Sequence, residues 1–436
     1  MKLGNISIET SVQLLFALIF FASTAHAEDK KADNDNIWTR DQLTGEWGGA
    51  RSDLSDDGID IGLRLSQYYQ GVTSGGVDTN SEYGGTMDYR VNVDAEKLFG
   101  AKGLSFNMHA RTRFGQDIIA DGGSLVLPNA GMMMPAPGDY HGTDITGLTL
   151  TQSFSLFGGH ALIQLGKLDA IDMVTGFFPN ISYGQEGFMN VNAMVSAMPW
   201  FGAVQGLSLY GGMFVTINEE YQMAENGLLL TGTTNIATHW GSVSDAFEDG
   251  AWMAGFHRFF WKMDDKPGYF MVFAGYSTKD QASNDPHDFI DIPGQGIVST
   301  TEKKPWDVAL YVYQEFWQDE NNPDRKATLF TGATLGPDNP QFAQWNFFAN
   351  VEMFGLIDSR PHDRMGVSGF WNGLSPNFKK LVSPEIELRN TYGFEGYYNV
   401  EINPWLHLTG DLQLVENERK GDDVAVIAGL RLVIDL

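Results

Sequence analysis

Most of the chain after residue 59 alternates apolar and polar residues with a period of two, and no other feature constrains the fold as much. Successive strand side chains point to opposite faces, so this period marks strands rather than helices. Leu104, Phe106, Met108, Ala110, Thr112 and Phe114 share one predicted face, with Ser105, Asn107, His109, Arg111 and Arg113 on the other. Met87, Tyr89, Val91, Val93 and Ala95 likewise oppose Asp88, Arg90, Asn92, Asp94 and Glu96. At the end of the chain, alternate residues from Val424 to Leu436 form an apolar row, with Arg431 and Asp435 opposite. About 16 segments follow this pattern: roughly 60–70, 86–98, 103–115, 146–156, 160–168, 191–204, 206–217, 251–262, 268–279, 305–317, 325–336, 342–356, 363–371, 385–402, 405–416 and 423–436. Their connections show a parity. Those after even-numbered segments are short, as at 100–102, 157–159, 262–267 and 403–404. Several after odd-numbered segments are long, at about 116–145, 169–190, 218–250 and 280–304.

Short turns on one rim and long loops on the other suit a barrel that spans a membrane. A bilayer offers no water to unpaired backbone groups, so a spanning sheet must close on itself. Its outer apolar face then meets lipid and its inner polar face lines a water-filled lumen. An Arg on the lipid face at mid-depth costs about 2–4 kcal/mol, so strand charges should favour the inner face. Arg258, on the register of Trp252, Ala254 and Phe256, breaks that rule, but at a strand end. Trp261, Trp317, Trp345 and Trp405, near strand ends, suit an interfacial girdle. The alternative is a soluble, secreted β-sandwich, which also alternates but needs shorter loops and leaves the parity unexplained.

Composition narrows the function. Asp plus Glu number 55 against 28 Lys plus Arg, a formal net charge of −27. That balance argues against nucleic acid as a partner. With no cysteine there is no disulfide, thiolate metal site or Cys nucleophile. Residues 1–27 read as a secretory signal peptide: Lys2 is a weak basic start, Leu14 to Ala22 an apolar core, and Ala25-His26-Ala27 a small-x-small cleavage site. That core is too short to span a bilayer as a helix, and no later stretch approaches 18 apolar residues.

The stretch Leu43-Thr44-Gly45-Glu46-Trp47-Gly48-Gly49-Ala50-Arg51, with Leu54 and Asp57-Gly58-Ile59, resembles the opening signature of the carbohydrate-selective porin family, OprB. Tyr398-Asn399-Val400, Pro404-Trp405-Leu406, Asp411-Leu412-Gln413 and Gly429-Leu430-Arg431-Leu432 resemble the end of that family. Gly166 to Asp169 and His109 to Gly115 are also similar. The resemblance implies an all-β, 16-stranded antiparallel transmembrane β-barrel in the bacterial outer membrane. It also implies passive diffusion of sugars into the periplasm, with segment 43–58 packed at the periplasmic mouth. The expected organisation is a signal peptide over 1–27, a short N-terminal periplasmic segment over 28–59 and the barrel over 60–436. One departure is the last residue: many such barrels end in Phe, and this chain ends in Leu436.

The candidate pore constriction is basic. His109, Arg111 and Arg113 share an inward face, Arg90 lies on the next strand, and Arg64 points inward with Gly62, Ser66 and Tyr68. A guanidinium fork can hydrogen-bond sugar hydroxyls. Paired with inward acids such as Asp88, Asp94 or Glu96, these groups would favour a neutral polyol over ions; the alternative is a structural ion-pair ladder. Met132-Met133-Met134-Pro135 and Phe177-Phe178-Pro179 with Tyr183 are too apolar for free solvent. One or both loops are expected to fold into the barrel and narrow it, or to pack on each other. No catalytic motif occurs, and no metal motif: Asp53-x-Ser55-x-Asp57-Gly58 lacks the Glu a calcium loop needs, with Arg64 in its place. The expectation is a non-enzymatic, cofactor-free channel for mono- or oligosaccharides such as glucose, embedded in outer-membrane lipid, with homo-oligomerisation left open. A general, cation-selective porin and a secreted glycan-binding β protein are the alternatives.

Overall fold

A computed structural model describes residues 36–436 apart from 136–140, 157–158, 179–184, 196–198, 200–201, 204–205, 219–223, 237, 239–241, 295 and 384. The signal-peptide segment, Pro179 and Tyr183 lie outside the described residues. Sixteen strands form one closed barrel. They are β1 (Ile59–Ser74), β2 (Ser81–Asp94), β3 (Leu104–Gly115), β4 (Gly142–Leu156), β5 (Gly159–Asp169), β6 (Ser208–Asn218), β7 (Ala224–Gly232) and β8 (Ala251–Met263). The second half comprises β9 (Lys266–Ser277), β10 (Trp306–Gln318), β11 (Lys326–Leu335), β12 (Ala343–Phe354), β13 (Arg364–Leu374), β14 (Thr391–Asn403), β15 (Leu406–Glu416) and β16 (Ala425–Asp435). Each strand runs antiparallel to the next, and β16 closes on β1 from Arg64 opposite Asp435 to Val72 opposite Ile427. Helix α1 (Ala50–Asp56) precedes β1, and helix α2 (Ala95–Phe99) lies between β2 and β3. Two short hairpins occupy the loop between β9 and β10. Among the described residues no helix is long and apolar enough to cross a membrane; the strands do the crossing.

Burial is inverted relative to a water-soluble sheet. On β15, Leu408, Leu412 and Leu414 are exposed, whereas Thr409, Asp411 and Gln413 are buried. On β3, Phe106 is exposed and Arg111 and Arg113 are almost fully covered. Apolar residues outside and polar residues inside suit hydrocarbon around a hydrated lumen and exclude a sandwich with an apolar core.

Three local expectations change. The described residues of 191–204 contain no barrel strand; Val191–Met194 is a short helix instead. Its small apolar residues are buried because the segment sits inside the barrel. The strand that keeps the count at sixteen is β7, whose Leu228-Leu229-Leu230 run hides the alternation. The second segment stops at Asp94, whose carboxylate caps α2 by accepting from the amides of Glu96 and Lys97. Arg258 does not face lipid. Trp252, Ala254, Phe256 and Arg258 are all buried on the inner face of β8, while Met253 and Phe259 are exposed outside. On this strand the apolar register is the inner one.

The chain before β1 docks on the short-turn rim. Trp47–Gly49 and α1 lead to Gly58. Gly58 has φ of +92°, and a Cβ there would meet the Asp94 carbonyl and Lys97 at 2.8 Å, so the turn into β1 requires glycine. Arg51 stacks over Trp47 at 4.3 Å and donates to the Leu436 carbonyl at 2.8 Å. Leu43 N donates to Asp435 O at 2.7 Å. Trp405 is no girdle residue: it is buried and its Nε1 donates to Ile37 O at 2.6 Å. Trp261, Trp317 and Trp345 are half-buried near strand ends.

Candidate functional site

Two loops from the long-loop rim fill the lumen, and they pack both on the wall and on each other. In the loop after β3, Asn129 Nδ2 donates to Gln70 Oε1 at 2.6 Å. Gln413 Nε2 donates to Pro128 O at 3.0 Å. Met132 is buried against Tyr68 and Met189. In the loop after β5, the amides of Met189 and Asn190 donate to Glu395 at 2.5 and 3.0 Å. Ser368 Oγ donates to Ala193 O at 3.2 Å. Asn192 Nδ2 joins the two loops through Val126 O at 3.1 Å. Every one of these bonds satisfies a polar group that burial would otherwise leave costly.

Helix α3 (Ala170–Phe177) begins the second loop, and its sequence is two-faced. Asp169 caps it, accepting from the amides of Ile171 and Asp172 at 2.9 and 3.2 Å. Ala170, Ile171, Val174 and Phe178, spaced for one helical stripe, line a small apolar cavity against Trp252, Met271 and Tyr311. Phe178 packs on Tyr311 and Phe330 with ring centroids 4.7 and 5.3 Å away, and Phe177 on Phe256 at 4.9 Å. Asp172 and Gly176 look the other way, into a cavity of about 410 Å³ bounded by β2 to β7. That cavity is lined by Arg90, Asn92, Asn107, Thr149, Gln164 and Glu225 on its polar side, with Leu162, Leu168, Phe177, Met213 and Val215 among its apolar residues. Helix α3 is thus a partition between an apolar wall and a polar one.

The predicted basic constellation is gathered only in part. Asp88 is its hub. It accepts from His109 Nε2 at 2.7 Å, Arg111 Nε at 2.6 Å and Gln185 Nε2 at 2.8 Å. His109 Nδ1 meets Asp172 Oδ2 at 2.8 Å, and Arg90 Nη2 meets Asp172 Oδ1 at 3.4 Å. The register explains the grouping, since Asp88 lies opposite Arg111 and Arg90 opposite His109. Arg64 belongs to a second group: it grips Asp435 at 2.6 and 2.9 Å and Glu186 at 2.8 Å. Arg113 pairs with Asp117 in the loop after β3. Asp94 and Glu96 join neither group. Asp94 caps α2 at the short-turn rim, and Glu96 Oε2 accepts from the Gly103 amide at 2.9 Å.

The residues that sequence reasoning missed are Asp169, at the end of β5, and Asp172, Gln185 and Glu186 in the loop after it. Asp169-Ala-Ile-Asp172 has the spacing of a helix start and could have been found by that signal. Burial raises the pKa of the Asp172 carboxyl, but the facing cations His109 and Arg90 outweigh it and hold it below the usual range. For Glu186 burial acts upward too, and Arg64, with Arg364 and His407, brings the carboxyl below its ordinary value. Both carboxylates are therefore ionised at neutral pH and bind the loop to the wall. His109, Asp169 and Asp172 also bring one ligand atom each within 4.8 Å of one another, a metal-type grouping with no sequence motif.

Comparison with known proteins bears on the whole chain. The model of the carbohydrate-selective porin, OprB family, matches residues 79–436. Porin B of Pseudomonas aeruginosa is 23% identical, the match covering 97% of this chain and 96% of that protein. The high-pH structure of Pseudomonas putida OprB superposes with a TM-score of 0.75 at 18% identity, over 92% of this chain and 99% of that one. Its low-pH structure covers the same shares at a TM-score of 0.55 and 15% identity. At these identities the structural likeness speaks for the fold.

Proposed function

The chain belongs to the carbohydrate-selective porin, OprB family, and from that premise we propose that it passes neutral sugars by diffusion through the gap between α3 and the β2–β7 wall. As a porin of this family it is a channel of the bacterial outer membrane. In this reading the long loops face the exterior, and the short-turn rim with segment 36–58 faces the periplasm. The exposed outer rows of Leu, Phe and Val face lipid.

One observation carries the sugar preference: the cavity beside α3 is lined by fixed donors and acceptors of both signs. Arg90 donates, Asp172 and Glu225 accept, and Asn92, Asn107 and Gln164 do both. A sugar hydroxyl also does both, so such a lining replaces part of its hydration. Met213, Val215 and Phe177 give its C–H faces an apolar flank. A bare ion gains little here, because the attraction of one wall group is offset by its oppositely charged neighbour. Mono- or oligosaccharides such as glucose fit this description, and no energy source is needed.

The test is conductance of the purified barrel in planar bilayers, titrated with glucose and maltose. One of them is expected to reduce the current more than an equal osmolarity of an unrelated polyol. Equal effects from all solutes favour a general porin, for which the net charge of −27 would predict cation selectivity.

A further inference from the structure

We propose that His109, Asp169 and Asp172 form a binding site for one divalent transition-metal ion of the zinc type, at the point where α3 is anchored to β3. The converging atoms are His109 Nδ1, Asp172 Oδ2 at 2.8 Å from it and Asp169 Oδ2 at 3.8 Å. Metal–ligand bonds of about 2.0–2.2 Å place neighbouring donors of a tetrahedral site about 3.3 Å apart. The three ligand atoms lie within 4.8 Å of one another, and turning the two carboxylates brings them to that tetrahedral spacing.

What singles out this trio is the orientation of each ligand by a second partner. His109 Nε2–H donates to Asp88 Oδ1 at 2.7 Å, which leaves Nδ1, the ring nitrogen whose proton an ion would replace, facing the two carboxylates. A metal-bound histidine is typically held by such a carboxylate. Asp169 Oδ1 accepts two amides of α3, which directs Oδ2 at His109. Asp172 Oδ1 faces Arg90 while Oδ2 faces His109. With the Nδ1 proton displaced, the two carboxylates set two negative charges against the dication, and Arg90 beside Asp172 offsets part of them. One nitrogen and two oxygens suit zinc, cobalt, nickel or manganese, whereas calcium and magnesium ask for more oxygen ligands. All three residues line the 410 Å³ cavity, from which water can fill the remaining coordination.

A bound ion would join Leu168-Asp169 of the wall, His109 of β3 and the first turn of α3 in one rigid unit. The consequence for conductance rests on the channel reading; the binding does not. The test uses the full barrel in detergent, stripped with chelator and titrated with ZnCl₂ in excess Mg²⁺ by calorimetry. One zinc per chain is expected, with a zinc-edge absorption spectrum showing one imidazole and oxygen ligands. Asp172→Asn, on the accessible face of α3, should weaken binding at least tenfold while the barrel keeps its heat-modifiable migration. Absence of stoichiometric zinc, a spectrum without imidazole, or equal affinity in folded Asp172→Asn would overturn the proposal. Zinc binding in a protein whose current no sugar reduces would remove the sugar reading and leave this one standing.

Discussion

Along β1 to β3 the inner face carries Arg64, Ser66, Asp88, Arg90, His109, Arg111 and Arg113, whereas along β8 to β11 it carries Trp252, Phe256, Tyr269, Met271, Tyr311 and Phe330. The two arcs use opposite chemistry to hold the same two loops. On the charged arc three loop carboxylates are matched to wall cations: Asp172 to His109 and Arg90, Glu186 to Arg64, Asp117 to Arg113. On the aromatic arc, α3 lays its apolar stripe against stacked rings such as Tyr311 and Phe330, 6.1 Å apart. The apolar contacts exclude water and seal one side. The ion pairs need only lie at fixed points, so space is left between them, and that is where the larger cavity lies. A polar inner wall is therefore a rule for the part of a barrel that water touches, not for the part that a folded-in loop covers.

Variants on the two arcs should separate these roles. The largest effect belongs to Asp88→Ala. It removes the carboxylate that Arg111 grips and releases His109 and Gln185, a loss of about 3–5 kcal/mol. Urea unfolding followed by gel migration measures it, and a change under about 1 kcal/mol would show that the hub is not structural. On the opposite arc, Phe178→Leu removes two ring contacts and should cost about 1–3 kcal/mol. It should raise open-channel noise while leaving ion selectivity unchanged. A shift in reversal potential instead would place the ion path on the aromatic side. Arg90→Gln should hardly alter stability, because the pair with Asp172 is long and partly exposed. Its effect is functional: sugar block should weaken severalfold in bilayer recordings and cation preference should rise. The smallest effect is in acid. Glu186 has its pKa lowered in the fold, so the stability it supplies is present above the unfolded carboxyl value of about 4.3 and is lost as pH falls through the folded one. Channel noise should stay flat from about pH 7 to about pH 5 and rise only below about pH 4; Glu186→Gln should remove that acid step.

The charged arc was largely legible in the sequence and the aromatic arc was not, for a physical reason. Asp88, Arg90, His109 and Arg111 stand on strands with clean alternation, and strand pairing alone brings them together. Asp172, Gln185 and Glu186 arrive from a loop, whose path depends on tertiary packing that no local period records. On β8 to β11 both faces are apolar enough that alternation says which residues share a face but not which face is inside. That ambiguity turned Arg258 outward, although it donates to the Phe177 carbonyl at 2.5 Å inside the barrel. At 191–204 the sequence suggests a strand where the structure has the short helix Val191–Met194, because its apolar residues answer to burial inside the barrel and not to a local period.

The cysteine-free sequence permits a direct test of which arc conducts. Gln164→Cys on the polar side of α3 and Ala309→Cys behind it are each exposed to a hydrophilic, sugar-sized thiol reagent while single-channel current is followed. The prediction is a stepwise fall in current for Gln164→Cys, slowed by sugar, and no reaction for Ala309→Cys. Current lost through the thiol at position 309, with the one at position 164 silent, would contradict it.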